Sequence, residues 1–280
     1  MKRFEYFEPA TLAEAAGLMH AANAQVLAGG TDLLVEIKEQ LRRVERVVNI
    51  KRIPEIGGLS YDAREGLRIG ALVTAREIEV SPVVQEKYAS LAQSARELGS
   101  IQVRNRATIV GNVCRASPSA DTLPPLIADG AQVRIFGERG ERVVALEEFF
   151  TGPGRTVLGP GELVTEILVP PPAPRTGKVY IKHGRRKAME LATVGVAVSM
   201  TLSRDVRIVL GAVAPTPIRA RQAEGLLQGM KLTSELIAKA AEAAEAESRP
   251  ISNVRASAGY RRDMVRVLTR RALAQAVKCC

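Results

Sequence analysis

Thr108-Ile-Val-Gly-Asn-Val-Cys-Arg-Ala-Ser-Pro-Ser-Ala-Asp121 is the stretch of the chain most typical of a ligand-binding loop. A glycine, hydroxyl side chains, an asparagine and an aspartate stand beside apolar residues that could bury a ring system. Spacing alone favours a simpler interpretation, in which Ser119 or Asp121 caps a helix that runs through Ala128. Such a helix would tolerate the two prolines of its first turn, Pro124 and Pro125. Both interpretations stay open at this point.

A second candidate loop lies about eighty residues earlier, at Leu27-Ala-Gly-Gly-Thr-Asp-Leu33, directly after a short apolar run. Paired glycines permit positive φ and close approach, so successive backbone N–H groups can point into one concavity and hold a diphosphate. The spacing matches neither the dinucleotide fingerprint nor the P-loop. A tight turn without a ligand explains the same residues equally well.

Hydrophobic periodicity predicts an α+β fold. Thr11 and Glu14 form a capping box before a helix to about Ala22, and the first fifty residues follow the order strand, loop, helix, strand. Further on, Ser81-Pro82 opens a helix that Gly99 closes, with one apolar stripe along it. The pattern predicts strands at residues 67–71, 132–136, 142–146 and 163–169.

Pro170-Pro-Pro-Ala-Pro174 cannot continue a central strand, because proline lacks the ladder N–H, so we place the domain boundary there. The N-terminal domain then spans residues 1–172, with subdomains of about 1–56 and 57–172, and a smaller C-terminal domain spans 173–280. We expect antiparallel strands at 193–202 and 207–213, joined by a Ser203–Asp205 turn, followed by helices at about 234–247 and 258–277. The last helix is expected to turn Tyr260, Met264, Val267 and Leu268 inward and Arg261, Arg262, Arg266, Arg270 and Arg271 outward.

Composition and charge limit the classes of protein to which the chain can belong. The chain has 280 residues, of which 46% are hydrophobic and 25% charged, values typical of a packed protein rather than a disordered one. Residues 1–174 hold 20 basic and 22 acidic side chains and residues 175–280 hold 20 and 8, so the net charge of +10 arises in the C-terminal part. No apolar run is long enough for a membrane span, and no signal peptide is evident, so we expect a cytoplasmic protein.

The chain offers little chemistry of its own. Its two histidines, His20 and His183, and its three cysteines have no spacing typical of a metal site. Cys114 is interpreted as a buried, inert thiol, since nothing pairs it with a base. We therefore predict neither catalytic residues nor a metal site.

Taken together, Ala28-Gly-Gly-Thr-Asp-Leu-Leu34, Ala107-Thr-Ile-Val-Gly-Asn112 and Ala116-Ser-Pro-Ser-Ala-Asp121 resemble a known family. The chain is similar, essentially end to end, to the FAD-binding medium subunit of the molybdenum hydroxylases, which include xanthine dehydrogenase and aerobic carbon monoxide dehydrogenase. The resemblance implies a two-part FAD-binding domain of PCMH-type α/β subdomains, in which both loops clasp the FAD diphosphate. It also implies that Asp121 contacts the cofactor, that Val164 packs near the flavin and that Lys182 sits beside the ring. The full set of cofactor-binding residues that it implies is Leu27, Ala28, Gly29, Gly30, Thr31, Asp32, Leu33, Thr108, Ile109, Val110, Gly111, Asn112, Asp121, Val164 and Lys182.

The same resemblance implies partners. FAD would receive electrons from an iron–sulfur small subunit and pass them to an external acceptor, while a large subunit carries molybdopterin. The [2Fe-2S] clusters and molybdopterin would belong to those partners only, in a dimer of heterotrimers that is active as a complex. The arginine-rich face of the last helix then becomes a candidate docking surface for them.

Two alternatives remain at this stage. Within the same fold, the chain could be a stand-alone FAD-dependent oxidoreductase like UDP-N-acetylenolpyruvoylglucosamine reductase, although no proton donor for that reaction can be identified. From another class, the basic C-terminal part could belong to a nucleic-acid-binding or scaffold protein, because clustered arginines attract phosphate. The few aromatic residues, five Phe, five Tyr and no Trp, leave little for base stacking.

Overall fold

The N-terminal part of the chain forms a small parallel sheet. The computed structural model describes residues 3–203 and 205–279. Its first elements are β1 (Glu5–Phe7), α1 (Leu12–Leu18), β2 (Ala24–Leu27), α2 (Leu33–Lys38) and β3 (Arg46–Asn49). The strands pair in the order β1-β3-β2, and both ladders are parallel. The carboxyl ends of all three strands therefore meet at one edge of the sheet, the edge at which α/β sheets bind ligands.

The middle of the chain forms a five-stranded antiparallel sheet, in the order β4-β5-β10-β6-β7, with most of the helices inserted between β5 and β6. Its elements are β4 (Leu59–Asp62), β5 (Gly66–Gly70), α3 (Ala75–Val80), α4 (Pro82–Lys87), α5 (Ala89–Arg96), α6 (Ile101–Arg104), α7 (Ile109–Arg115), α8 (Leu123–Ala128), β6 (Gln132–Gly137), β7 (Gly140–Ala145), the hairpin strands β8 (Phe150–Gly152) and β9 (Arg155–Thr156), and β10 (Leu163–Val169). The central strand β10 is a nearly continuous apolar run, as expected for a strand covered on both faces.

The C-terminal part is a four-stranded antiparallel sheet packed with helices. It contains β11 (Gly177–His183), β12 (Val194–Met200), β13 (Val206–Gly211), β14 (Ile218–Arg219), α9 (Arg221–Leu227), α10 (Ser234–Glu247) and α11 (Ala258–Cys279). Alternate residues of β12 face opposite layers: Val196 and Val198 join the core under α10 and α11, whereas Ala197 joins the core of the N-terminal part. The predicted α+β class is confirmed. Arg204, within the predicted Ser203–Asp205 turn, and Cys280 lie outside the described residues.

The helix predicted from Ser81-Pro82 to Gly99 is wrong as one element, because Tyr88 divides it. Tyr88 adopts φ −132° and ψ 49°, so α4 ends before it and α5 begins after it. Its ring is fully buried, and its hydroxyl donates to the carbonyl of Pro170 at 3.0 Å. The chain breaks the helix because this geometry places a large aromatic side chain in the core while satisfying its hydroxyl.

The inward face predicted for α11 is also wrong in part. Tyr260 is 45% exposed, whereas Arg261, predicted to face outward, is 3% exposed. The guanidinium of Arg261 donates to the carbonyls of Thr193 at 2.8 Å and Ala212 at 2.9 Å, and to Asn253 Oδ1 at 2.8 Å. Buried carbonyls next to β12 and β13 need donors, and an arginine supplies several from one side chain. The side chains that α11 buries are those of Arg261, Val265, Leu268, Thr269, Ala272, Leu273 and Ala276.

Candidate functional site

The two predicted loops touch each other in the folded chain. A methyl group added to Gly29 would overlap the carbonyl oxygen of Arg106, and the Cα of Ala107 would lie only 3.1 Å from it. Only glycine allows the first loop to lie this close to the turn that precedes Thr108. Segments about eighty residues apart in sequence therefore form one surface.

The first loop presents free backbone donors. It connects β2 to α2, and Gly30 adopts φ +75°, a conformation that favours glycine. Leu27 and Leu33 anchor its ends in a small core with Ile37 and Val47. Within residues 3–203 and 205–279, no acceptor is in hydrogen-bonding position for the backbone N–H groups of residues 28–33. A run of unpaired donors at the carboxyl edge of a parallel sheet fits an anion such as a diphosphate.

The second motif is not the loop that the sequence analysis expects, because it begins a helix. Thr108 caps α7: its hydroxyl accepts from the N–H of Gly111 at 3.0 Å, and its carbonyl accepts from Asn112 at 2.9 Å. The N–H of Ile109 donates to the carbonyl of Val73 at 3.1 Å. Most backbone donors of this motif are therefore used inside the protein, and fewer of them than in the first loop are free for a ligand.

The side chains of this motif divide into an inner and an outer group. Ile109 and Val110 are buried in the main core, whereas Gly111 is exposed at the start of α7. Asn112 points back into the protein, where its Oδ1 accepts from the hydroxyl of Thr122 at 2.6 Å. Gly111 is thus the position at which a ligand can reach the backbone of α7 without meeting a side chain.

Asp121 does not cap a helix, which excludes the simpler interpretation for this residue. Its Oδ1 accepts from the hydroxyl of Tyr180 at 2.8 Å, and its Oδ2 accepts from Nζ of Lys182 at 2.9 Å. The side chains of Asp121 and Lys182 are only 7% and 8% exposed. Burial raises the pKa of Asp121, and the charge of Lys182 opposes that rise.

Lys182 brings a further segment to this place. Its Nζ also donates to the carbonyl of Glu97 at 3.0 Å, so the turn between α5 and α6 lies beside the pair. Gly99 in this turn has φ +52°, and Ser100 caps α6 by accepting from Val103 at 3.3 Å. The sequence shows Gly99 only as a helix end, and nothing in it pointed to a site that this turn would line.

The strand β11 connects the two parts of the protein through alternate residues. Lys178, Tyr180 and Lys182 lie on one face of the strand, as the two-residue period requires. Lys178 pairs with Asp129, the C-cap of α8, and its Nζ lies 5.1 Å from the centre of the Tyr88 ring. Asp121 precedes α8 and Asp129 follows it, so Lys182 and Lys178 of β11 form ion pairs at the two ends of this helix. Sequence reasoning missed the Lys178 pair.

Val164 lies in the interior. It is buried in β10 next to an irregularity in the pairing with β6, and α7 packs against this strand. The structure thus places Val164 in the layer beneath α7 rather than on an open surface.

No metal centre is built from the described ranges 3–203 and 205–279, where no three His, Cys, Asp or Glu side chains are grouped to hold an ion. Cys114 is partly exposed rather than fully buried. Burial of its thiol nevertheless raises the pKa to about 12, which favours an inert cysteine. No helix in those ranges combines the length and the apolar character needed to cross a membrane.

Family comparisons agree with this architecture. A family described as "FAD binding domain in molybdopterin dehydrogenase" matches residues 2–172, and one described as "CO dehydrogenase flavoprotein C-terminal domain" matches residues 179–276. The carbon monoxide dehydrogenase medium chain of Hydrogenophaga pseudoflava is 36% identical over 284 residues, covering 99% of this chain and 98% of that protein. The xanthine dehydrogenase FAD-binding subunit of Escherichia coli O157:H7 is 31% identical over 278 residues, covering 97% and 95%.

Solved structures show the same fold. A structure of carbon monoxide dehydrogenase from Hydrogenophaga pseudoflava, which lacks the Mo-pyranopterin moiety, superposes with a TM-score of 0.95 at 36% identity and covers 100% of this chain. Quinoline 2-oxidoreductase from Pseudomonas putida 86 superposes with a TM-score of 0.92 at 28% identity, again over 100% of this chain. The first family model alone spans more than half of the residues, and the relatives match from end to end. The chain therefore belongs to the family of molybdopterin dehydrogenase FAD-binding subunits.

Proposed function

We propose that this chain binds FAD across the surface formed by the first loop, the start of α7 and the Asp121–Lys182 pair. The observation that carries the proposal is the contact between Gly29 and Arg106. It brings the free N–H groups of residues 28–33 next to the turn that leads into α7, so that one diphosphate could lie against both segments. Backbone N–H groups bind an anion through oriented dipoles and do not require charged side chains. Such binding is compatible with the near-neutral net charge of residues 1–174.

The individual residues would have different roles. Ala28, Gly29, Gly30, Thr31 and Asp32 would hold the diphosphate through the backbone, and Gly111 would keep the approach to α7 open. Asp121 would accept a hydrogen bond from the cofactor or orient Lys182 toward it. The buried residues Ile109, Val110 and Val164 would hold the shape of the site from within its core rather than contact the solvent-facing part of the ligand.

FAD can accept and release one or two electrons, and the protein supplies its binding and orientation. We assign no catalytic residue to this chain. The proposed role is electron transfer from [2Fe-2S] clusters of a small subunit to an external acceptor, with molybdopterin on a large subunit. It is supported by relatives that are named as the medium chain of carbon monoxide dehydrogenase, an enzyme with a molybdenum cofactor. A dimer of heterotrimers, a cytoplasmic location and the division into residues 1–172 and 173–280 are parts of this proposal.

The test is reconstitution followed by desalting. The full chain, refolded with FAD, should keep a flavin absorbance spectrum in about one-to-one ratio after gel filtration. Co-expression with candidate partner subunits should give a complex whose spectrum shows flavin and iron–sulfur bands together. A folded chain that retains no flavin, alone and in the complex, would contradict the proposal.

A further inference from the structure

A lysine that the family motifs do not include lies at the edge of the first loop. Asn49 ends β3 and pairs in register with Leu27, the last residue of β2. Its Oδ1 accepts from Nζ of Lys51 at 2.7 Å. Asn49 itself is 6% exposed, and its amide donates to the hydroxyl of Tyr6 at 2.7 Å and to Glu8 at 2.9 Å. A buried, oriented amide thus holds the ammonium group of Lys51 at the carboxyl edge of the sheet.

An arginine contacts the same loop through its backbone. The carbonyl of Arg106 contacts Gly29, and its side chain is exposed. Arg106 is close enough to Lys51 that its charge adds to burial in lowering the pKa of that lysine. Two cations that repel each other therefore lie near the loop of residues 28–33.

Within the described part of the chain, neither cation has a carboxylate in direct contact, although Glu8 lies near enough to Lys51 that its charge opposes the effects of burial and Arg106 on the pKa of that lysine. Among residues 3–203 and 205–279, no carboxylate lies within 4.0 Å of Lys51 Nζ or of the Arg106 guanidinium. Many other arginines of the chain are paired; Arg104, two residues earlier, lies 2.8 Å from Glu79. Placing like charges together costs free energy, which Glu8 offsets only in part and which a bound anion would recover.

We infer that Lys51 and Arg106 bind the phosphate groups of the cofactor and neutralise the two charges of its diphosphate at the Gly29–Gly30 loop. This inference rests on the proposed function, since FAD is the ligand that brings the diphosphate. It adds charge-assisted hydrogen bonds to the neutral backbone donors, and such bonds are about twice as strong as neutral ones. The guanidinium can contact two phosphate oxygens at once, whereas the ammonium acts as a point charge.

The test compares FAD with riboflavin, which has the same ring but no phosphate. We would measure dissociation constants by flavin fluorescence for the full chain and for Lys51→Gln, Arg106→Gln and the double variant. The double variant should bind FAD at least tenfold more weakly and bind riboflavin as the unaltered chain does. Raising the salt concentration should weaken FAD binding to the unaltered chain more than to the double variant.

A matched control removes the same charge elsewhere. Lys38→Gln/Arg64→Gln alters one exposed lysine and one exposed arginine, in α2 and in the turn after β4, and should leave both constants unchanged. Thermal melting of all variants would show that they remain folded. Equal FAD affinity of the double variant and the unaltered chain would overturn the inference while leaving the proposed function intact. No FAD binding by the unaltered chain would instead overturn the proposed function.

Discussion

The Nζ of Lys182 lies 2.9 Å from Oδ2 of Asp121, and both side chains are almost excluded from water. Asp121 precedes α8 in the N-terminal part, whereas Lys182 belongs to β11 in the C-terminal part. This buried ion pair therefore joins the proposed cofactor site to the contact between the two parts of the chain. Removing one partner of such a pair is costly, because the other charge stays buried without compensation.

Lys182→Met should destabilise the protein by about 3 kcal/mol, since among the described residues it leaves Asp121 with Tyr180 alone as a side-chain partner. The decrease in the free energy of unfolding would be measured from the midpoint and slope of urea denaturation curves. Arg43→Met is the control: Arg43 pairs with Glu45 on the surface, and its loss should cost less than about 1 kcal/mol.

The double variant Asp121→Asn/Lys182→Met separates stability from cofactor binding. It removes both charges and keeps an acceptor for Tyr180, so most of the stability should return. The double variant should nevertheless retain less FAD than the unaltered chain, because neither charged group is left at the proposed cofactor site. A Lys182→Met protein as stable as the unaltered chain would show that the pair contributes nothing.

Gly29→Ala should abolish FAD retention, because the added methyl group would overlap the carbonyl of Arg106 and push the two segments apart. Flavin absorbance after desalting measures the effect. Gly17→Ala is the matched control: no atom lies within 4 Å of the added group, so the change should stabilise α1 by about 0.5–1 kcal/mol and leave flavin binding unaltered. Normal flavin retention in Gly29→Ala would show that the close contact is not needed.

Arg262, Arg266 and Arg270 form the exposed basic face of α11, and we expect partner subunits to bind there. Replacing all three with Glu should weaken co-purification of the partners and leave flavin content unchanged, because the face carries no predicted cofactor residue. The charge-matched control Lys38→Glu/Arg64→Glu/Arg139→Glu alters exposed positions in the N-terminal part and should assemble normally. Loss of flavin with assembly preserved would contradict the assignment. Arg261 is not part of this face, since its guanidinium is buried.

Glu79 should make stability depend on pH in the acid range. Burial favours its neutral form, but Arg76 at 3.1 Å and Arg104 at 2.8 Å outweigh burial and hold the pKa below its usual 4.5. The stabilisation is present above the unfolded pKa and is lost as the pH falls through the lowered folded pKa. Asp121 and Asp129 act in the opposite sense, because burial raises their pKa values.

Melting curves of the unaltered chain and Glu79→Gln test this dependence. The difference in Tm between the two should be largest near neutral pH and should shrink as the pH is lowered below about 4.5. A difference that stays constant down to acid unfolding would mean that the ion pairs around Glu79 contribute nothing that depends on its charge.

Cys114 should resist alkylation in the folded protein, since burial raises the pKa of its thiol to about 12 and leaves little thiolate at pH 8. Cys279 is exposed at the end of α11 and should react quickly. Mass spectrometry of peptides after a short treatment with iodoacetamide distinguishes the two positions. Equal modification of both cysteines in the native protein would contradict the expected protection of Cys114.

Some elements could be predicted from local signals alone. The helix predicted at residues 234–247 has the observed bounds of α10, because a threonine cap and an alanine-rich amphipathic pattern act within the segment itself. The strand at residues 163–169 also has the observed bounds, since its apolar run is long and ends at Pro170. The family assignment from the two loop motifs is confirmed as well.

Other features depend on distant residues and were beyond the sequence. Tyr88 interrupts the predicted helix, and its hydroxyl donates to the carbonyl of Pro170. The guanidinium of Arg261 points inward and donates to the carbonyl of Thr193, which is far away in sequence. The resemblance implies that Lys182 lies beside the cofactor, but its pairing with Asp121, 61 positions away, depends on how the N-terminal and C-terminal parts of the chain pack together. The assignment of individual residues to FAD stays a prediction.

The two ion pairs between the ends of α8 and β11 require that helix and strand have matching lengths. Four residues of strand between Lys178 and Lys182 span about 13 Å at the usual rise. Eight residues between Asp121 and Asp129 span about 12 Å if they advance as a helix. The two distances agree closely enough for both pairs to form together, with helix and strand running in opposite directions. One residue inserted into either element would leave at most one pair intact, so α8 and β11 together fix the position of the Asp121–Lys182 pair at the proposed cofactor site.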